Sequence, residues 1–291
     1  MAEKIAFFRK NFQNPVYKSR KKVYNIGSGK ICTTPAKRPT HEDGRTFTDM
    51  LSNSALKPKY KRIVLKISGE ALKDGCPDGI LNFDLITELA GVLKRCREAG
   101  VEIAIIVGAG NIWRGRQGGK MNRVRADSMG MLATVINALA LHDTFAGEGL
   151  DSVVLTSVEM NAFADAYTPR RAIQELEAGK VVIFGGGLGV PFFSTDTPAV
   201  IRAAEIEADA VLMAKNIDGV YTDDPRLNPE ATLLKEVTYG EIIDKKLKAF
   251  DMTAMIFCME NNLNSYAFAL SDPMNIYRVV MGEAPGTEMH A

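Results

Sequence analysis

Short aliphatic runs alternate with amphipathic helical stretches from residue 62 to residue 214 of this chain, and this order strongly limits the possible folds. The runs are near-continuously apolar, as strands buried on both faces of a sheet are; they span 62–68, 102–107, 152–156, 181–184 and 210–214. The intervening stretches have helical spacing; they span 83–98, 129–148, 169–177 and 197–207. This pattern predicts an α/β fold of three layers, α-β-α, with a mostly parallel sheet.

The C-terminal part of the chain carries a weaker pattern. Residues 238–262 are interpreted as helical, and residues 266–270 and 277–281 as two closing strands. The folded domain is therefore expected to span 58–291.

Residues 1–57 differ from the rest of the chain. They lack a sustained apolar period and carry 12 Lys and Arg against 4 Asp and Glu, a net charge of +8 in a chain whose total is +1. Such a segment is expected to be a basic, mostly disordered N-terminal extension. A targeting role, which would place the protein in an organelle, stays open because no acidic residue lies between Glu3 and Glu42.

The remainder of the chain is acidic, which argues against nucleic acid as the main partner. No run of about 18 apolar residues occurs, so no transmembrane helix is expected. The cysteines form no CxxC pair, which favours a reducing compartment, the cytoplasm, over a zinc site or a disulfide framework. They are Cys32, Cys76, Cys96 and Cys258.

Glycines and cations follow the predicted strands, at the sheet edge where α/β proteins bind ligands. The sequences are KISGE at 66–70, GAGN at 108–111, GGGLG at 185–189 and, after the fifth strand, Lys215 with residues 217–225. Glycine lets backbone N–H groups approach an anion, and Lys66, Arg114 and Lys215 add full charges. Together they predict a bound polyphosphate, although each glycine cluster alone could be a tight turn.

Several familiar site types are missing from the sequence. It has no P-loop motif, no strict GxGxxG motif and no histidine in the loops just named. Phosphoryl transfer fits this inventory, because it depends on cations, backbone donors and in-line positioning. If the acceptor is itself an ionised phosphate, no catalytic base is required.

Six motifs, in order, resemble those of the bacterial UMP kinases. They are KISGEAL at 66–72, VGAGNIWRG at 107–115, MNRVRADSMGMLATVIN at 121–137, PFFSTD at 191–196, IEADAVLMAKNIDGVYTDDP at 206–225 and RVVMGE at 278–283. The resemblance covers about residues 58–288 and implies the amino-acid-kinase fold. It also implies transfer of the γ-phosphoryl of ATP, with Mg²⁺, to UMP in pyrimidine nucleotide (CTP and UTP) biosynthesis.

The resemblance implies a role for individual residues. Catalytic roles fall to Lys66, Arg114 and Asp196, with Lys66 neutralising charge on the moving phosphoryl group. The implied ATP contacts are Lys66, Ile67, Ser68, Gly69, Gly110, Arg114, Lys215, Tyr221 and Asp224. The implied UMP contacts are Gly108, Ala109, Asp127, which would accept hydrogen bonds from the ribose, and the loop residues Leu188, Gly189, Val190, Pro191, Phe192, Phe193, Ser194 and Thr195. No metal ligand is assigned.

Simpler interpretations stay open for some of these residues. Asp127 and Asp196 could each be a helix N-cap, and Tyr221 could serve packing only. Ala109 stands where the family commonly has a third glycine, and Leu188 where some members have Thr.

The resemblance further implies a homohexamer, activation by GTP and inhibition by UTP, with neither a membrane nor nucleic acid required. Two other functions stay open. One is an amino-acid-kinase enzyme acting on a carboxylate or carbamate, and the other is a non-catalytic nucleotide-binding protein of the same fold. Assays with UMP, CMP and acetylglutamate would separate the three.

Removal of residues 1–57 is expected to leave a folded protein with unchanged turnover, because every motif that would bind a nucleotide begins at or after Lys66. Thermal unfolding and turnover on UMP, compared with the full chain, measure this. Aggregation or loss of activity in the truncated protein would contradict the boundary.

Overall fold

The computed structural model describes residues 57–291 except 77, 116–117 and 248–249, so the predicted extension lies outside the described residues apart from Lys57. The strands in this part of the chain are β1 (Arg62–Ile67), β2 (Glu102–Val107), β3 (Ser152–Thr156), β4 (Asp165–Ala166), β5 (Val181–Gly185), β6 (Ala210–Lys215), β7 (Val220–Tyr221), β8 (Leu233–Leu234), β9 (Glu236–Thr238), β10 (Ser265–Ala269) and β11 (Thr287–His290). Nine of them form one sheet in the order β4-β3-β5-β2-β1-β6-β10-β11-β9, and β7 pairs with β8. All neighbours in the large sheet are parallel except β10 and β11.

Helices cover both faces of this sheet, which confirms the predicted three-layer fold. They are α1 (Phe83–Glu98), α2 (Arg123–Gly147), α3 (Pro169–Glu177), α4 (Asp196–Glu205), α5 (Tyr239–Asp244), α6 (Met252–Glu260) and α7 (Met274–Val280). One apolar core lies between the sheet and α1, α2 and α7, and the other lies beneath α3, α4, α5 and α6.

Strand β1 shows how the sequence alternation assigns side chains to the two cores. Ile63, Leu65 and Ile67 belong to the core under α1, whereas Val64 belongs to the core under α4. Because side chains of a strand alternate between faces, Lys66 projects to the same face as Val64. The alternation therefore directs the Lys66 amine toward α4.

The closing strand predicted at 277–281 is wrong, because these residues lie mainly in α7. Ile276, Val279 and Val280 are buried at the spacing of one helical face. The two adjacent β-branched valines favour a strand locally, which explains the wrong prediction. The strand that follows β10 in the sheet is β11, which pairs antiparallel with β10 and parallel with the edge strand β9.

The helix predicted at 238–262 is two shorter helices, α5 and α6. Lys246 lies between them with a φ of 53°, in the left-handed region, which ends the first helix. Asp251 begins the second, since its carboxylate accepts a hydrogen bond from the backbone N–H of Ala254.

Helix α2 begins at Arg123, six residues before the predicted start at 129, with the Asn122 side chain as its N-cap. Among the described residues it is the one helix long and apolar enough, by length and composition, to cross a membrane. Its inner face packs on the sheet through Ala138, Leu141 and Phe145, as in a core helix. Its outer face exposes Met129, Leu132 and Ile136, named here the outer α2 stripe.

Candidate active site

The carboxyl ends of β1, β2 and β5 open into one cavity of about 550 Å³. Parallel strands bring their carboxyl ends to the same sheet edge, so three loops distant in sequence meet there. Fourteen of the predicted site residues line it: Lys66, Ser68, Gly69, Gly108, Ala109, Gly110, Arg114, Asp127, Leu188, Val190, Phe193, Ser194, Thr195 and Asp196.

A second cavity, of about 510 Å³, holds the predicted residues that follow β6, namely Lys215, Tyr221 and Asp224. The Tyr221 hydroxyl donates a hydrogen bond to Asp218, and Arg226 forms an ion pair with Asp224 at 3.1 Å. Four predicted residues line neither cavity: Ile67, whose side chain is in the core, and Gly189, Pro191 and Phe192.

Glycines allow the first two loops to pack against each other at the cavity floor. A Cβ atom on Gly69 would lie 2.6 Å from the Gly110 nitrogen and 2.8 Å from the Gly108 oxygen. A side chain at this position would therefore separate the loops. Gly69 and Gly110 lie in turns and also line the cavity, so their role in a turn is compatible with the predicted contact with a ligand.

Lys66 and Asp196 form an ion pair at 2.7 Å, with about a tenth of each side chain exposed. Asp196 is the first residue of α4, preceded by Thr195 at the N-cap position, so the N-cap interpretation of Asp196 is wrong. Its carboxylate also accepts a hydrogen bond from the Asp251 backbone N–H at 3.3 Å. A carboxylate and an ammonium this deeply buried each need the other to offset desolvation.

Lys215, at the end of the neighbouring strand β6, shares this electrostatic environment. Burial alone would raise the pKa of Asp196, but Lys66 and Lys215 hold it below its usual value. Burial, with Lys66 nearby, lowers the pKa of Lys215 to about 8, although Asp196 and Asp251 oppose the shift. Two cations and one central carboxylate therefore link the two cavities.

Asp251 is a site residue that the sequence interpretation missed. Its carboxylate accepts hydrogen bonds from the hydroxyls of Ser194 and Thr197 while it caps α6. It thus joins the loop before α4 to the first turn of α6. The prediction of one continuous helix over 238–262 concealed the N-cap signal that could have revealed it.

Arg114 and Glu70 form an ion pair at the cavity rim, where each side chain is nearly half exposed. Ion pairs this exposed contribute little to stability, so Arg114 can exchange Glu70 for an anionic ligand at small cost. Glu70 had no predicted role.

Asp127 lies in the second turn of α2, so the N-cap interpretation of this residue is also wrong; Asn122 is the cap. Both carboxylate oxygens of Asp127 accept from Nε of Arg123 at 2.8 Å. The Phe192 backbone N–H also donates to it at 2.8 Å, with Phe192 at a φ of 76°. Asp127 therefore fastens the loop 188–195 over the cavity.

A reciprocal amide pair supports the loop after β2 and was not predicted. Asn137 is fully buried and exchanges hydrogen bonds of 2.8 and 3.0 Å with Asn111. Its Nδ2 also donates to the Gly108 oxygen at 2.7 Å. A buried carboxamide in an apolar helix is a recognisable signal, because it requires partners.

Comparison with known proteins gives consistent matches. The family model described as "Amino acid kinase family" matches residues 61–266. The chain is similar to a UMP kinase from Bacillus anthracis, with 35% identity and a TM-score of 0.76 over 79% of this chain and 96% of that one. It is also similar to a UMP kinase from Ureaplasma parvum, with 36% identity and a TM-score of 0.75 over 79% of this chain and 99% of that one.

Replacement of Asp196 by Asn is expected to lower the free energy of unfolding by about 3–5 kcal/mol, because the buried Lys66 loses its partner and Lys215 loses a nearby counter-charge. Urea denaturation at neutral pH measures this.

The matched control is Asp165→Asn, which removes an exposed ion pair with Arg171 and should cost less than about 1 kcal/mol. The double variant Lys66→Met/Asp196→Asn should recover part of the loss. Equal stability of the Asp196 and Asp165 variants would show that the buried pair is unimportant for folding.

Proposed function

The chain belongs to the amino acid kinase family, and we propose that it is a UMP kinase, which transfers the γ-phosphoryl of ATP to UMP and releases UDP and ADP. The observation that carries the proposal is the buried Lys66 in the first cavity, which pairs with Asp196 and acts electrostatically on Lys215 of the second cavity. Two substrates that meet at a cationic centre are what phosphoryl transfer requires. The similarity to two UMP kinases supports UMP as the acceptor.

Charge stabilisation and positioning account for the chemistry. The transferred phosphoryl group carries negative charge on its oxygens as it moves between its two partners. Lys66 neutralises this charge, and the ion pair with Asp196 keeps the amine correctly oriented. Arg114 adds a second cation from the rim. The acceptor oxygen belongs to an already ionised phosphate, so the described cavity residues need supply no general base.

In this proposal UMP binds in the 550 Å³ cavity. Its phosphate lies beside the Gly108–Gly110 turn, whose backbone N–H groups are donors for an anion. Its ribose contacts Asp127, and its base lies under the loop 188–195. Leu188 and Val190 make the wall of that loop apolar.

In the same proposal the phosphates of ATP lie along Lys66–Gly69, and its adenine lies in the second cavity, near Tyr221 and Asp224. An approaching polyphosphate favours the protonated form of Lys215 and so raises its pKa from about 8.

Magnesium would be carried by the nucleotide in this proposal. The described residues contain no group of three or more Asp, Glu, His or Cys side chains placed to hold a metal ion. Mg²⁺ commonly keeps several waters and binds substrate phosphates with only one or two carboxylates. Asp196 fits that limited role, and the ion would add positive charge near the β- and γ-phosphates.

The outer α2 stripe supports self-association of this chain. We further propose that the chain forms a homohexamer in the cytoplasm, acts in pyrimidine nucleotide biosynthesis and has GTP and UTP as effectors. Met129, Leu132 and Ile136 are 39%, 56% and 49% exposed on one helical face. Exposed apolar patches of this kind mark contacts between proteins. Sedimentation with and without each nucleotide tests the assembly; a monomer under all conditions would exclude it.

Replacement of Lys66 by Ala is expected to lower kcat on UMP by about 10²-fold or more, the scale for loss of one transition-state charge contact. The Michaelis constant for UMP should change little. Lys180→Ala, which removes a half-buried ion pair with Glu175, is the control and should retain full turnover. Near-normal turnover of the Lys66 variant would remove this residue from the catalytic role.

Replacement of Asp127 by Ala is expected to raise the Michaelis constant for UMP far more than that for ATP. Loss of a charged hydrogen bond to a hydroxyl corresponds to about 1.5–3 kcal/mol. Steady-state kinetics with each substrate varied in turn measure the split. Asp143→Ala, an exposed position on the same helix, provides the comparison; equal effects on both substrates would make Asp127 structural only.

A further inference from the structure

The glycine loop after β5, residues 186–189, has a backbone shape that its own sequence does not enforce. Gly186, Gly187 and Gly189 have φ values of 79°, 58° and 81°, all in the left-handed region. Glycine reaches this region easily but also reaches many others, so a glycine-rich loop pays a large entropic cost to hold one shape. Gly187 and Leu188 line the cavity, which makes that shape part of the site.

Two hydroxyl groups from other elements fix the loop. The Gly186 backbone N–H donates to Oγ1 of Thr134 on α2 at 2.8 Å. On the opposite side, Oγ of Ser157, the residue after β3, donates to the Gly187 carbonyl oxygen at 2.7 Å. The loop is therefore held from both sides by hydrogen bonds that a small ligand need not supply.

Arg202 determines the direction in which the Ser157 hydroxyl points. Its Nη2 lies 3.1 Å from the Ser157 Oγ. A serine hydroxyl has one proton and two acceptor lone pairs, and guanidinium can only donate. Ser157 must accept from Arg202, and its own proton is then directed to the Gly187 carbonyl.

Arg202 is itself immobilised. It lies near the end of α4, is only 6% exposed, and donates from Nη1 to Glu205 at 2.5 Å. The Tyr167 ring lies 3.7 Å from its guanidinium carbon, and the Tyr167 hydroxyl donates to the same Glu205 carboxylate. Stacking and the shared carboxylate leave the guanidinium one orientation.

We propose that Ser157 and Arg202 are positioning residues that hold the loop 186–189 in the shape that receives UMP. The proposal rests on the proposed function for the identity of the ligand. Helix α4 begins with Asp196, the partner of Lys66, and carries Arg202 two turns later. One rigid helix thus sets the catalytic amine and the acceptor loop relative to each other.

The expected size of the effect follows from the population of the receptive loop shape. When only a fraction of molecules is competent to bind, the apparent dissociation constant rises by the reciprocal of that fraction. Loss of one hydrogen bond that favours a single shape reduces its population by about 3- to 10-fold. The Michaelis constant for UMP should rise by that factor, and that for ATP should not change.

The experiment compares Ser157→Ala, Ser157→Thr and Arg202→Met with the unaltered full chain in steady-state kinetics and in UMP binding by calorimetry. Ser157→Thr keeps the hydroxyl and should restore UMP binding to within about twofold of the unaltered chain. Arg171→Met, which removes an exposed arginine on α3 without contact to the loop, should leave both constants unchanged.

The outcomes are distinguishable. No phosphorylation of UMP by the unaltered chain would remove the proposed function, whereas activity with an unchanged UMP constant in Ser157→Ala would overturn the positioning role alone. Equal changes for UMP and ATP would also overturn it, since they indicate general loss of structure. If the Arg202 variant fails to fold, Tyr167→Phe removes only the hydroxyl that holds Glu205 and should raise the UMP constant selectively.

Discussion

The ion pair between Lys66 and Asp196 is the interaction on which the rest of the site depends. It joins the central strand β1 to the start of α4 at 2.7 Å, and both of its residues line the first cavity. Because the pair is buried, either charge would be unfavourable without the other. A shift of α4 on the sheet would separate them, so the packing of this helix and the electrostatics of the site depend on each other. Lys215 and Asp251 extend the same arrangement to β6 and α6.

Much of the fold could be predicted from the sequence because long, strongly periodic segments dominate it. The five parallel strands β1, β2, β3, β5 and β6 and most helices between them lie close to their predicted bounds, although α2 begins six residues before its predicted start. The errors in the type of element fall in the last third, where elements are short and tertiary contacts decide between alternatives. Val279 and Val280 favour a strand locally, yet packing against the core makes them one face of α7.

The site shows the same division between local and non-local information. Residues that follow strands were predictable, because parallel strands bring their ends together. Ser157 and Glu70 were not, since each acts through a partner far along the chain, such as the Gly187 carbonyl for Ser157. Asn137 and Asp251 carry local signals, a carboxamide in an apolar helix and a helix N-cap, which the sequence interpretation missed. The structure brings 17 of the predicted site residues to the two cavities, 14 to the first and three to the second.

The large sheet ends, on both sides, in very short strands. Within the described residues β4 has two residues and β9 has three, so few unpaired N–H and C=O groups face outward in a straight row. A long open edge would accept a strand from another molecule and favour fibrillar aggregation. Copies of this chain are therefore expected to contact one another through helices rather than through a sheet that continues from one molecule to the next. The short edge strands thus protect a concentrated solution of the enzyme from amyloid-like growth.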